Sequence, residues 1–167
     1  MSQNRTNLKK RIVCFVSLAV FLVCAVSAST LEKCTFAREY KGINGKIFRY
    51  RWAEKKSKDG SKVPLVVFLH GAGERGTDNS AQLLHGVKEL VEHLNASEKG
   101  YMLVAGQVPK GKRWVEVNWG AKGHSMPAEP SETMGLLIEF LDKLLRDGVV
   151  DNRRVYVTGI SMGGYGT

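Results

Sequence analysis

Arg154-Val155-Tyr156-Val157-Thr158-Gly159-Ile160-Ser161-Met162-Gly163-Gly164 is the stretch on which the fold turns. Its first half is a short β-branched and aromatic run, the composition of a strand. Its second half contains the G-x-S-x-G pattern, in which glycines on both sides of a serine let a strand turn sharply into a helix and hold the hydroxyl exposed. A serine hydroxyl at neutral pH is a poor nucleophile and needs a base, together with donors for the oxyanion that develops during acyl transfer. Ser161 is therefore the candidate nucleophile, and the backbone N–H of Met162 the first candidate donor.

Upstream, Val63-Pro64-Leu65-Val66-Val67-Phe68-Leu69 is a continuous apolar run, as expected of a strand buried on both faces. It leads into His70-Gly71-Ala72-Gly73-Glu74-Arg75-Gly76, a loop placed to supply the second oxyanion donor, with Gly71 and Ala72 the best-placed positions. Leu83, Leu84, Val87, Leu90, Val91 and Leu94 recur at helical spacing and predict a helix at about 80–95. A second buried strand is expected from Tyr101 to Ala105. The segment 106–130, with two tryptophans and no periodicity, is expected to be a long loop. Ser131-Glu132-Thr133-Met134 opens a helix on Leu136, Leu137, Phe140, Leu141, Leu144 and Leu145 that Gly148 ends. Near the start, TFAREY and KIFRYRWAE alternate around Gly42-Ile43-Asn44-Gly45 and predict an antiparallel hairpin. The sum is an α/β fold with a mostly parallel sheet and an N-terminal antiparallel hairpin.

The chain has 167 residues and a net charge of +9. Residues 1–28 combine Arg5, Lys9, Lys10 and Arg11 with an apolar stretch ending in Val26-Ser27-Ala28, the organisation of a secretory signal peptide. An uncleaved membrane anchor is the other reading of the same segment. Cleavage implies a secreted or periplasmic protein whose domain spans residues 29–167, and it removes four positive charges. The remaining excess of +5 is interspersed with acids, which argues for solvated faces and no nucleic-acid partner. Cys34 alone remains outside the signal, so no disulfide framework is available. No His, Cys, Asp or Glu group has metal-ligand spacing, and no cofactor is expected. Asn95-Ala96-Ser97 fits a glycosylation acceptor, and Asn95 serves equally as a helix terminator.

LVVFLHGAGERGTDN, VAGQVPKGKRWVEVNW, EPSETMGLLIEFLDKLL and DNRRVYVTGISMGGYGT occur in that order. Together they resemble the N-terminal half of the α/β-hydrolase superfamily, specifically its secreted serine esterases of the predicted-peptidase or phospholipase/carboxylesterase-like kind. That group is similar to polyhydroxybutyrate depolymerases and to feruloyl or acetylxylan esterases. The resemblance covers residues 35–167. It implies Ser161 as nucleophile, Met162 and Ala72 as oxyanion donors, and small or polymeric carboxylic esters as substrates. Gly106 and Val108 stand where such enzymes tend to carry a proline and a cysteine or similar residue.

The family's later strands, catalytic Asp and catalytic His have no counterpart in these residues. The expectation is an incomplete domain whose C-terminal half is missing, inactive alone and exposing the apolar edge of its last strand to aggregation or to a partner. His70, Asp78 and Ser161 do run in the order of another serine-hydrolase class. His70 lies close enough to be considered as a base, but its position before the oxyanion loop favours a residue that braces the loop by hydrogen bonds. His85 and His93 lie in the first helix, as flanking residues. His124 and Trp119 in the long loop are candidates to border a substrate pocket or simply to pack. Gly71 to Gly76 also matches G-x-G-x-x-G, the pattern of a dinucleotide-binding module. Against that reading, Glu74 would set a carboxylate beside the phosphates, and Thr77 to Ser80 delay the helix that should hold them.

Overall fold

The computed structural model describes residue 31 and residues 33–167, so the expected signal segment 1–28 lies outside the described residues. The chain divides into two units, 1–34 and 35–167, and the second carries the fold. Among the described residues no helix is long and apolar enough to cross a membrane.

The hairpin forms as the alternation predicts. Strands β1 (Phe36–Lys41) and β2 (Ile47–Lys55) pair antiparallel, with Phe36 opposite Trp52 and Lys41 opposite Ile47. The connecting turn closes through Gly45 N–H to Gly42 O, and Gly45 at φ +78° takes a left-handed conformation that favours glycine. β3 (Val63–Leu69), β4 (Tyr101–Gln107) and β5 (Val150–Gly159) complete a five-stranded sheet of order β1-β2-β4-β3-β5. β3 pairs parallel with both β4 and β5, while β2 pairs antiparallel with β4. Four strands thus run one way and only β2 runs against them. This is the mostly parallel sheet expected, with its antiparallel pairs confined to the hairpin side.

Helices cover both faces. Helix α2 (Glu132–Arg146) lays Leu136, Leu137, Phe140 and Leu144 on the face formed by Phe48, Tyr50, Leu65, Val67 and Val104. Each such side chain contributes about 1.5–3 kcal/mol when fully buried. The Phe140 ring lies 4.5 Å from Tyr50 and 5.2 Å from Tyr40, which fastens the helix over the hairpin strands. Tyr40 Oη adds a 2.6 Å hydrogen bond to Glu139 Oε1. At the start of the helix, Ser131 Oγ accepts from Met134 N–H and donates to Trp114 O at 2.8 Å. One hydroxyl therefore caps the helix, a contribution of about 1 kcal/mol, and also anchors the long loop.

Helix α1 (Val87–Ala96) buries Val87 and Val91, and on the sheet Phe68 faces its start. It begins seven residues later than the periodicity suggests. Residues 81–83 form a separate short 3₁₀ turn, Leu84 is exposed, and Gly86 sits at φ +81° before the helix. A Cβ at Gly86 would also stand 2.9 Å from the Phe68 ring, so the chain bends there and cannot run on as one helix. The strands at 101 and 154 are longer than expected, at 101–107 and 150–159.

Candidate active site

β3 and β5 are neighbours with Leu69 opposite Gly159, so the two loops leaving their C-terminal ends emerge side by side. That edge of a parallel sheet is where α/β proteins bind ligands. Ile160 N–H donates to Leu69 O at 3.1 Å and extends the pairing by one residue. The chain then reverses. Ser161 lies at φ +50°, and Gly163 N–H closes the turn on Ile160 O at 2.7 Å. A non-glycine residue held there costs about 1–3 kcal/mol, a strain characteristic of functional sites. Residues 161–166 wind on as a single six-residue 3₁₀ segment that buries the Met162 side chain and leaves Ser161 exposed.

Packing explains both flanking glycines. A Cβ at Gly159 would stand 2.5 Å from the Gly163 carbonyl carbon, and one at Gly163 would overlap the Leu69 carbonyl oxygen. The sequence G-x-S-x-G thus records two close backbone approaches. The loop after β3 is equally near: the point where a Gly71 Cβ would stand is 3.6 Å from Ser161 Cβ. Ala72, next in that loop, packs partly buried against the apolar core. Gly71 therefore adjoins the serine.

His70 is fully buried, with both ring nitrogens engaged. Nδ1 lies 2.6 Å from Gly71 O, and Nε2 accepts from Val108 N–H at 2.9 Å. The second bond fixes a neutral imidazole that carries its proton on Nδ1. Burial pushes the His70 pKa below its ordinary value, while the Gly71 carbonyl acts in the opposite direction. Trp114 Nε1–H donates to His70 O at 3.1 Å, and the two rings meet edge to face at 5.4 Å. So engaged, His70 offers no free nitrogen to Ser161. Asp78 is committed elsewhere too: its Oδ1 accepts from Ser80 N–H, Ala81 N–H and Gln107 Nε2. Those bonds, the Ala81 amide first, lower its pKa. The order His70, Asp78, Ser161 does not form a relay.

Sequence reading missed the supports of this loop. Gln107, the last residue of β4, accepts from Asn79 N–H at 2.7 Å and donates to Glu74 O at 3.3 Å, gripping the loop at two points. Arg75 Nε donates to Ala72 O at 2.8 Å, and Gly76 N–H to Val108 O at 2.9 Å. A glutamine closing the otherwise apolar run YMLVAGQ was the available signal. Glu74 is buried in the loop, and His85 Nε2 lies 3.6 Å from its Oε1. The stretch 71–76 holds only a three-residue 3₁₀ turn, Ala72–Glu74, and the next α-helix begins at Val87, so the α-helix N-terminus that a dinucleotide phosphate requires is not beside it.

Trp119 and His124 meet around Tyr165, four residues past the serine. The Trp119 ring stacks on Tyr165 at 6.4 Å, and His124 meets it edge on at 5.2 Å. The Arg113 guanidinium covers the Trp119 ring at 4.3 Å. His93 lies exposed on α1. Among the described residues no group of His, Cys, Asp and Glu is placed to hold a metal ion, and no hydrogen bond joins the Ser161 hydroxyl to a histidine.

Solved structures similar to this chain include two esterases. A thermostable esterase is 34% identical with a TM-score of 0.63, the match covering 81% of this chain and 36% of that one. A ferulic acid esterase is 19% identical with a TM-score of 0.50, covering 79% of this chain and 52% of that one. The chain thus spans well under two thirds of the length of either. No protein-family model matches it, and no curated protein does.

Proposed function

The chain has the α/β-hydrolase fold, and on that premise we propose that it carries the nucleophile and oxyanion site of a serine hydrolase acting on carboxylic esters. The supporting observation is Ser161 itself, strained at φ +50° between two glycines that only close packing explains, with Gly71 against it. In this reading Ser161 Oγ attacks the ester carbonyl carbon, and its proton passes to a base. The carbonyl oxygen, now negative, is held by the N–H groups of Met162 and Ala72. Collapse of the adduct breaks the bond to the alkoxy oxygen, which leaves as the alcohol with that proton. Water then cleaves the acyl-serine and releases the acid. His70 braces the oxyanion loop and is not the base. Since no described histidine reaches Ser161, the chain acylates slowly on its own.

The test is covalent. On prolonged incubation with diethyl p-nitrophenyl phosphate, intact-mass analysis should find one diethylphosphoryl group, mapped to Ser161 and absent from Ser161→Ala. No adduct, or one on another residue, overturns the assignment. Turnover of p-nitrophenyl acetate should match that of Ser161→Ala. Rapid Ser161-dependent turnover would instead show that a group within the chain serves as the base.

A second reading, in which the chain works only with a partner, is favoured by β5. This edge strand leaves Tyr156 and Val157 exposed, with Ile160 beyond them. Unpaired apolar edges template association, and a charge on the edge suppresses it. The purified chain should therefore self-associate with rising concentration in light scattering, and Val157→Lys should shift it toward monomer.

A further inference from the structure

A cavity of about 300 Å³, at the lower end of the range for small-molecule sites, is walled in part by the end of the segment that Ser161 opens. Its walls come from three places: Trp114 and Met126 of the long loop, Met134 and Ile138 of α2, and Tyr165 with Gly166 of the 161–166 segment. Tyr165 stands four residues beyond Ser161, within roughly 10 Å at a 3₁₀ rise of about 2 Å per residue. Trp114 binds the backbone of His70, so the cavity also adjoins the oxyanion loop. A second cavity, of about 220 Å³, lies at the opposite ends of the strands by Val63, Tyr101 and Val149, away from the serine.

The lining states what the nearer cavity can take. It is mostly apolar, with two thioethers that adapt to irregular shapes. Of its two wall hydroxyls, Ser131 and Tyr165, that of Ser131 is already spent on Trp114 O and Met134 N–H. Its one charged group is Glu129, with no Lys, Arg or His among the walls. A ligand therefore gains from burying hydrocarbon and meets repulsion if it carries a carboxylate there. We infer that this cavity receives the uncharged apolar group of the ester, an alkyl or aryl chain of about six carbons, and that it sets chain-length preference. The inference rests on the proposed ester-hydrolase site and deepens it.

Binding can be tested without turnover. In the full chain labelled with [methyl-¹³C]methionine, 1-hexanol should shift the Met126 and Met134 methyl resonances while leaving Met102, in the core, in place. Hexanoate at the same concentrations should bind at least tenfold more weakly, and Glu129→Gln should narrow that gap. Ile138→Trp, which fills the cavity from a half-exposed helix position, should remove the 1-hexanol shifts while circular dichroism stays unchanged. Met134→Phe serves as the second filling variant should Ile138→Trp fail to fold. Ser161→Ala should bind 1-hexanol as the parent does, which separates this inference from the assignment of the nucleophile. Shifts spread over all methionines, hexanoate binding as tightly as 1-hexanol, or binding unaffected by either filling variant would each overturn it.

Discussion

Gly163→Ala should unfold the protein or lower its stability by about 3 kcal/mol or more, an effect at the upper end for a single added methyl group. The methyl group would fall within the Leu69 carbonyl oxygen, which belongs to backbone paired into the centre of the sheet and cannot rotate away. The same oxygen accepts from Ile160 N–H, so yielding at Leu69 would also open the bond that extends β5 toward the serine. Gly164→Ala is the internal control. Nothing lies within 4 Å of a Cβ at that position, and its effect should stay within about 0.5 kcal/mol. Urea unfolding followed by circular dichroism distinguishes the two. Equal midpoints for both variants would mean that the packing of Gly163 against β3 is wrong.

His70→Ala should be almost as costly, at about 3–4 kcal/mol, through loss of a buried ring and the orphaning of Val108 N–H. This position also makes stability depend on pH. Burial lowers the folded-state pKa of His70, so the folded protein resists a proton that the unfolded chain accepts below about pH 6.5. Between those two values the unfolded state binds more protons, and stability falls as pH falls through the window. Above the unfolded-state value the contribution is constant. The parent protein should thus lose stability from about pH 6.5 downward, and His70→Asn should lose that component while remaining less stable at neutral pH. A parent whose stability is flat between pH 7 and 5 would contradict the buried neutral imidazole.

Much of this was legible in the sequence, because local rules govern it. The hairpin follows from alternation around Gly42–Gly45, α2 from its apolar spacing and Ser131, and the turn at Ser161 from glycines that mark close approach. The adjacency of the 70–76 loop to Ser161 was legible only through the fold that the motif implied. What remained hidden depends on contacts distant in sequence. Insertion of β4 between β2 and β3 is decided by how both faces of the sheet are covered, which no single run of residues encodes. The broken start of α1 escaped notice because Leu83 and Leu84 keep helical spacing across Gly86, where the Phe68 ring decides the matter. The pairing of His70 with Val108 joins residues from two loops, and the cavity takes its walls from three separate segments. Composition gave no sign of either.

The strand order has a further meaning for how the protein is made. β1 to β4 leave the ribosome before β5, and the hairpin, β3, α1 and β4 can pair among themselves as they emerge. The outer edge of β3 then waits while the long loop and α2 are synthesised, until β5 arrives to cover it. The serine is carried in with β5. Every residue of the 70–76 loop is thus translated long before Ser161, and the two come together only when β5 docks.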